Sequence, residues 1–454
     1  MRSPIFMANE ENKQSTINQK KNYKKAPLMS VHLRVYIAVI LGQIACGYSL
    51  GISGTALSAA AKYIKINDFW TGLIGAGALI GLMGSLIVGR ISDKIGRRQM
   101  LMGNMYVLAI LSLLHLLTAN LFWTFLLRVG IGLMIAVDYT VGNALLTEWL
   151  PKGEDSKRQS RLLIYWTLGF IASYIVGTFL TGFGPLTWRI ILATGAVFAL
   201  IAAIFRSIFR LPASPSWLAS QGKVKTANKV IQKHMGRKWG IPKWFAKKNK
   251  PKKDISWKIL FSKKYLRSTL VGGIFYACQA FAFFGISIFL PILLKGMGIT
   301  DSKISGIIYN GGMLIGVLIG TFLFNKVSRR SFLVTYYLIS AILIGILALV
   351  PNLNSIVKLS IFSIFAIILS SGLVFDYPYP TELFDIKVRG MGVGTCITIS
   401  RVGAAAGTFL LPVLTNIGGS NLAMLVCTIV LAFSFVVCLF FAPETSPKFM
   451  KENK

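Results

Sequence analysis

The amino-acid sequence predicts an all-α polytopic membrane protein, with twelve transmembrane helices in two pseudo-symmetric halves of six. Three observations carry that expectation. The composition is 54% hydrophobic and only 14% charged, with a mean hydropathy of +0.64 over 454 residues, more apolar surface than a soluble fold hides. A charged word is written twice, first as Gly89, Arg90, Ile91, Ser92, Asp93, Lys94, Ile95, Gly96, Arg97, Arg98 and again as Asn325, Lys326, Val327, Ser328, Arg329, Arg330. Finally, the Lys and Arg residues behind a net charge of +34 gather on one side of the apolar runs.

Apolar runs of about 18 to 25 residues are long enough to cross the hydrocarbon layer as helices. They fall at 35–60, 70–89, 100–118, 121–147, 161–183, 188–210, 268–294, 304–325, 332–351, 357–384, 391–414 and 421–442. The longest polar interruption, at 211–267, carries Lys247, Lys248, Lys250, Lys252 and Lys253 and divides the spans six and six. It reads as an amphipathic, mobile tether. The expected organisation is a tail over 1–34, a first half over 35–210, the basic central loop over 211–267, a second half over 268–442 and a tail over 443–454.

Charge sets the topology. With the polar residues 1–34 in the cytoplasm, most Lys and Arg fall in cytoplasmic segments. The outer loops hold Lys62, Lys65, Arg189, Lys295, Lys303 and Lys358, and Arg128 and Arg401 lie within spans. This positive-inside pattern puts both termini in the cytoplasm of a plasma-membrane protein, with the basic loops against anionic lipid headgroups. Topology therefore accounts for the charge, and no nucleic-acid partner is expected. Residues 1–30 are polar and the run that follows is too long for a cleaved signal, so the first span is expected to stay. Cys46, Cys278, Cys396, Cys427 and Cys438 all lie in spans, without metal-ligand or disulfide spacing. His32, His115 and His234 are scattered, and no phosphate loop or haem motif is present. The expectation is a protein that is not an enzyme, with no metal, no cofactor and no ATP-driven pumping.

Small residues recur every four positions in equivalent spans of the two halves. These are Gly77, Gly81, Ser85 and Gly89 in span 2; Gly169, Ser173, Gly177 and Thr181 in span 5; Gly312, Gly316 and Gly320 in span 8; and Gly403 and Gly407 in span 11. That spacing leaves one helix face without bulk, so another helix approaches closely. Recurrence at symmetric places suggests surfaces that slide or gate.

At this point the residues resemble the major facilitator superfamily, in the branch of sugar porters and metabolite:proton symporters. The first charged word matches the G-x-x-x-D-[RK]-x-G-R-[RK] signature at Gly89, Asp93, Lys94, Gly96, Arg97 and Arg98. Gly47, Tyr48 and Gly51, then Arg128 with Gly130 and Gly132, and Pro212, Ser214, Pro215 and Trp217 follow the order of that branch. So do Pro380, Thr381 and Glu382 with Arg389 and Gly390, and finally Pro443, Glu444 and Thr445. The resemblance covers about residues 35–447 and implies two halves that rock to expose a central site to alternate sides. Ser49 stands where sugar porters carry an Asp paired with the Arg that matches Arg128, and their hexose-binding amides are reduced to Gln279. Asp138–Tyr139 looks like the acidic-Tyr-Pro pattern of metabolite and phosphate symporters, with Thr140 in place of Pro.

Ionisable groups inside a bilayer cost at least about 2.5–3.5 kcal/mol near a helix centre. Arg128, Asp138, Asp376 and Arg401 are the candidates. At about 1.5 Å of rise per residue, Arg128 and Asp138 are some 15 Å apart on one helix and cannot pair, whereas Asp376 and Arg401 lie at matching depth. A carboxylate that alternates between burial and an adjacent Arg can carry a proton. Asp138, with no Arg fixed near it by sequence, is the first candidate, and Asp376 with Arg401 the second. Arg128 and Arg401 are available to a substrate anion. Gln43, Tyr48, Tyr165, Trp166, Tyr276, Gln279, Tyr309, Asn310, Tyr377 and Tyr379 are the polar and aromatic candidates for a cavity.

A separate set reads as a gate. Asp93 with Arg97 and Arg98 is expected to lock the cytoplasmic side, more strongly than the second copy, where Asn325 replaces the acid beside Arg329. Glu148 with Arg158 or Arg161, and Glu382 with Arg389, form the companion network. The function expected is secondary active transport of one small polar metabolite, an organic anion or a sugar, by alternating access and in symport with protons. The protein is expected to work as a monomer among membrane lipids. The alternative is a membrane sensor on the same fold, for which neither tail offers a long signalling extension.

Overall fold

Long apolar segments fold as helices here because a bilayer leaves the backbone no partner but itself. A computed structural model describes residues 21–151, 154–241, 256–299, 301–324, 326–350, 352–376, 378–385 and 388–446, without the side chains of Leu86, Asp93, Asp155, Ser156, Lys157 and Ser302. Asn325, Tyr377, the Asp93 side chain and the lysines at 247–253 therefore lie outside the described residues.

The spans, in order, are Ser30–Ala60, Asp68–Ser92, Arg97–Leu117, Leu121–Trp149, Arg158–Phe179, Gly184–Ile208, Leu266–Ile288, Lys303–Leu323, Arg329–Leu349, Ser355–Leu383 and the run Arg389–Phe441. That last run is two spans. The backbone leaves helical geometry at Gly418 and Gly419, the latter at φ +70°, a region glycine enters at little cost. Spans 11 and 12 thus meet at this joint, and twelve helices result. Starts are capped by side chains. Asn67 accepts from the Trp70 N–H, Asn120 from Phe122, Asp301 from Ile304 and Asn354 from Ile356, at 2.9–3.1 Å, each answering an N–H that the first turn leaves open.

Spans 1 and 7 are the most enclosed. The glycine stripes explain how their neighbours reach them, and the explanation differs from the expected one. A Cβ on Gly81 would meet the Val129 carbonyl of span 4, one on Gly169 the Ile44 carbonyl of span 1, one on Gly316 the Ile367 carbonyl of span 10, and one on Gly403 the Ala277 carbonyl of span 7. Each stripe binds two helices of the same half. They are seams inside rigid bodies, not sliding surfaces between them.

The end of the bundle that carries residues 21–29 and the central loop is called the basic face below. Residues 215–241 are not a loose tether. Helices Pro215–Ser220 and Val224–Met235 pack through Leu218, Ala227, Ile231 and Met235. A strand at Lys21–Asn22 pairs in parallel with Trp239–Gly240. Tyr23 then bonds Ser216 at 2.7 Å and donates to the Glu148 carbonyl at 3.1 Å. Lys24 donates to the Thr147 and Leu150 carbonyls at the end of span 4, where a cation suits the helix dipole.

Gly403→Leu is expected to push spans 7 and 11 apart and to destabilise the protein by about 1–3 kcal/mol, the range of overpacking. Thermal unfolding in detergent reads this directly, and an unchanged midpoint would contradict the packing.

Candidate functional site

The two halves meet along a seam, and the contacts that join them run from mid-depth to the face opposite the basic one. At that far end Gly72 lies under the Phe409 carbonyl with no room for a Cβ, and Gly54 does so against Ile288. Phe69 meets Phe409 edge-on at 5.7 Å, and Asn416 Nδ2 donates to Asp68 Oδ2 at 2.5 Å. The Tyr174 hydroxyl sits over Gly306, and Lys303 Nζ lies 5.6 Å from the centre of the Phe179 ring. The far end is closed.

At mid-depth the seam becomes aromatic and cationic. Trp166 of span 5 packs against Phe283 and Phe284 of span 7 with centroids 6.1 and 6.2 Å away, and its indole N–H is buried without a partner. Arg401 of span 11 donates to the Tyr276 hydroxyl at 3.4 Å and stands 5.9 Å from the ring of Tyr139, which belongs to the other half. Asp376 is buried, its Oδ1 has no hydrogen-bond partner, and Arg401 is the charge that bears on it. Gln279 is 1% exposed with neither end of its amide partnered.

Several expected cavity residues lie elsewhere. Tyr48 turns into span 6, where its hydroxyl bonds Thr194 at 2.6 Å and its ring stacks on Phe198. Tyr309 packs at a tilt against Phe362 and bonds Ser287 inside the second half. Asn310 donates to the Gly306 carbonyl of its own helix, and Tyr379 donates to the Pro443 carbonyl. Tyr165 is half-buried beside Tyr36 of span 1. Arg128 is 1% exposed and donates to the Ser49 carbonyl at 2.6 Å, within the first half and away from the seam.

The main correction concerns Asp138. It does have an Arg. Arg206 of span 6 reaches it at 2.6 Å, with the two side chains 1% and 0% exposed. The same guanidinium donates to Asn104 Oδ1 at 3.0 Å, to the Leu101 carbonyl at 3.1 Å and twice to the Ala38 carbonyl, so its three nitrogens are all engaged. Cys46 and Asn104 complete the shell around the carboxylate. Span 4 widens into a π-helical turn over Asp138–Gly142 at this point, a local insertion of the kind that re-aims a side chain. Sequence reasoning missed Arg206 because it sits near a span end, where a cation usually snorkels to the interface. The signal was its spacing from Ala202 and Ala203, which puts it on their buried face.

At the basic face each half carries a matching triad, with different members from those expected. Glu148 pairs with Arg97 and accepts from Ser214, while Arg158 pairs with Glu154 at 3.1 Å and lies over the Tyr36 ring. Arg98 and Arg161 are exposed. Glu382 pairs with Arg329 at 3.4 Å and accepts from Thr445 at 2.5 Å; Arg389 donates instead to the Phe384 carbonyl. Gly96, at φ +105° and directly under the Trp217 ring, admits no side chain, which explains the glycine of the charged word. Glu444 accepts from Ser328 and from the N–H groups of Arg329 and Arg330 at 3.1 and 3.2 Å. Burial pushes its carboxyl up, but these hydrogen bonds and one from Ser446 outweigh it and hold the group below the ordinary range.

Two helical halves joined on a seam, closed at one end and lined with unpartnered polar groups at mid-depth, define a membrane transporter of small molecules. The comparisons agree. The profile of the Major Facilitator Superfamily matches residues 39–380. The inner membrane metabolite transport protein YgcS of Escherichia coli is 30% identical over 92% of this chain and 93% of its own. The xylose transporter XylE of E. coli, in a partially occluded inward-open conformation, superposes with a TM-score of 0.76 at 16% identity, covering 92% of this chain and 99% of its own. The same fold solved as a proton:xylose symporter bound to a sugar analogue gives 0.68 at 18%, covering 92% and 97%. The chain belongs to the Major Facilitator Superfamily: it is a multi-pass membrane protein that transports a small metabolite.

Arg206→Met, which strands Asp138 in the interior, is expected to cost about 3–5 kcal/mol of stability, and adding Asp138→Leu to recover most of it. Unfolding midpoints of the single and double variants test this; additive losses would contradict a closed pair. Glu444 has a lowered carboxyl, so its stabilisation is present above the ordinary Glu value near 4.3 and is lost as pH falls through the folded value. Thermal stability should therefore drop less steeply in acid for Glu444→Gln than for the parent protein.

Proposed function

We propose that the chain is a proton-coupled symporter, a monomer in the plasma membrane with both termini in the cytoplasm, that carries one small organic anion. Arg401 is the observation that supports an anion. Its guanidinium lies at mid-depth on the seam, beside Tyr276 of its own half and Tyr139 of the other, so a carboxylate held there would touch both rocking bodies. Trp166 offers an apolar wall and a free indole N–H. With the basic face in the cytoplasm, as the charge distribution favours, a bundle closed at the far end faces inward. A sugar is the second reading, supported by the unpartnered amide of Gln279, which suits hydroxyl groups.

In this reading Asp376 is the proton carrier and Asp138, engaged by Arg206, keeps a structural role. When a substrate anion occupies Arg401, Asp376 loses the charge that bears on it and takes a proton; when the anion leaves, Arg401 favours the carboxylate again. The proton and the anion thereby travel together. Asp93, Arg97, Glu148, Arg329 and Glu382 brace the cytoplasmic ends of each half during the motion.

Uptake into reconstituted vesicles under an imposed pH gradient, screened over organic acids and sugars, tests the assignment. An acid is expected to accumulate uphill; Asp376→Asn should abolish accumulation yet keep exchange, and Arg401→Gln should raise KM by roughly 10–100-fold, the loss of charged hydrogen bonds. Normal uphill uptake by Asp376→Asn sinks the carrier. Accumulation of sugars alone sinks the anion, and binding without accumulation or counterflow makes the protein a sensor.

A further inference from the structure

Arg128 is a permanent cation inside the bundle whose charge nothing described beside it answers. Its Nη1 donates to the Ser49 carbonyl at 2.6 Å, but Nε and Nη2 are buried without partners. Among the described residues no acid bears on it. Asp68 and Glu148 lie at span ends, engaged by Asn416 and Arg97, and Asp138, ten residues along the same helix, is engaged by Arg206. The surrounding side chains repeat the pattern. The hydroxyls of Ser49 and Ser112 and Nε2 of His115 are buried and unpartnered, on residues 2%, 1% and 1% exposed.

These groups share a niche between spans 1, 3, 4 and 6. Ser49 turns its carbonyl to Arg128 and its hydroxyl toward Gly195. A Cβ on Gly195 would stand 3.2 Å from Ser112 Oγ and 3.5 Å from Ser49 Oγ. His115 directs Nδ1 to the Leu111 and Ser112 carbonyls at 3.0 and 3.2 Å, and lies within the field of the Arg128 charge. Two guanidinium nitrogens and two hydroxyls, all able to donate, are therefore buried here without a described partner.

We propose that this niche binds a small inorganic anion, chloride in ordinary salt, as the resident counter-ion of Arg128. Water would satisfy the donors but leave the charge uncompensated in a dry interior. An ion supplies both. The niche lies inside the first half, off the seam that carries Arg401. The site is therefore distinct from the proposed path of the substrate.

The full-length protein, exchanged into sodium gluconate in detergent, can be titrated with sodium chloride or bromide at constant ionic strength while unfolding is followed by Trp fluorescence. A saturable rise in Tm with both halides is expected. Ser112→Ala should weaken the apparent chloride affinity roughly tenfold, the loss of one hydrogen bond to a charge. Ser49→Asp brings a carboxylate to the guanidinium and should unfold at the same Tm in chloride and gluconate. Crystals grown in bromide should show an anomalous peak beside Arg128 in the parent and none in Ser49→Asp. Equal Tm of the parent protein in the two salts would overturn the proposal, as would a chloride effect unchanged in both variants. Competitive displacement of chloride by a transported substrate would also overturn it, because the anion would then belong to the transport site.

Discussion

A charge inside the hydrocarbon layer has to be answered within the protein, and the arrangement of both halves follows from that constraint. In the first half the answer is local. Asp138 and Arg206 close on each other, with Asn104, Cys46 and two backbone carbonyls filling the remaining positions. Three helices are thereby fixed to span 4 by one polar knot. The glycine seams bring the helix backbones into direct contact.

The second half repeats the place but not the closure. Cys278, Tyr336, Asp376 and Ser434 occupy spans 7, 9, 10 and 12, which correspond to spans 1, 3, 4 and 6, yet span 12 brings no guanidinium. Asp376 is left to the influence of Arg401, a residue that also meets the opposite half. One carboxylate is thus held by a guanidinium of its own half, while its counterpart faces a guanidinium that stands at the seam.

Much of the architecture was legible in the sequence because it depends on local rules. Span length and the uneven distribution of Lys and Arg along the chain each need only a few neighbouring residues. The doubled charged word was readable too, down to Gly96. Partner choice was not. Glu148 chooses Arg97 over Arg158, and Glu382 chooses Arg329 over Arg389, because helix ends distant in sequence are adjacent in space. Depth along a helix is set by residue count, but the direction a side chain faces is set by the neighbouring helix. Tyr48 and Arg128 were expected to face a cavity and turn instead to Thr194 and to the Ser49 carbonyl.

The short strand at Lys21–Asn22 has a consequence for how the molecule is made. Its neighbours are the end of span 4, Ser216 and Trp239, all of which are synthesised long after it. Lys21 and Asn22 therefore have no strand partner until the two loop helices have been made and Trp239–Gly240 follows them. The carbonyls at Thr147 and Leu150, by contrast, can receive Lys24 as soon as span 4 is in place. The segment thus joins span 4 to the loop helices across more than two hundred residues of chain, and that corner of the basic face needs elements made at both times.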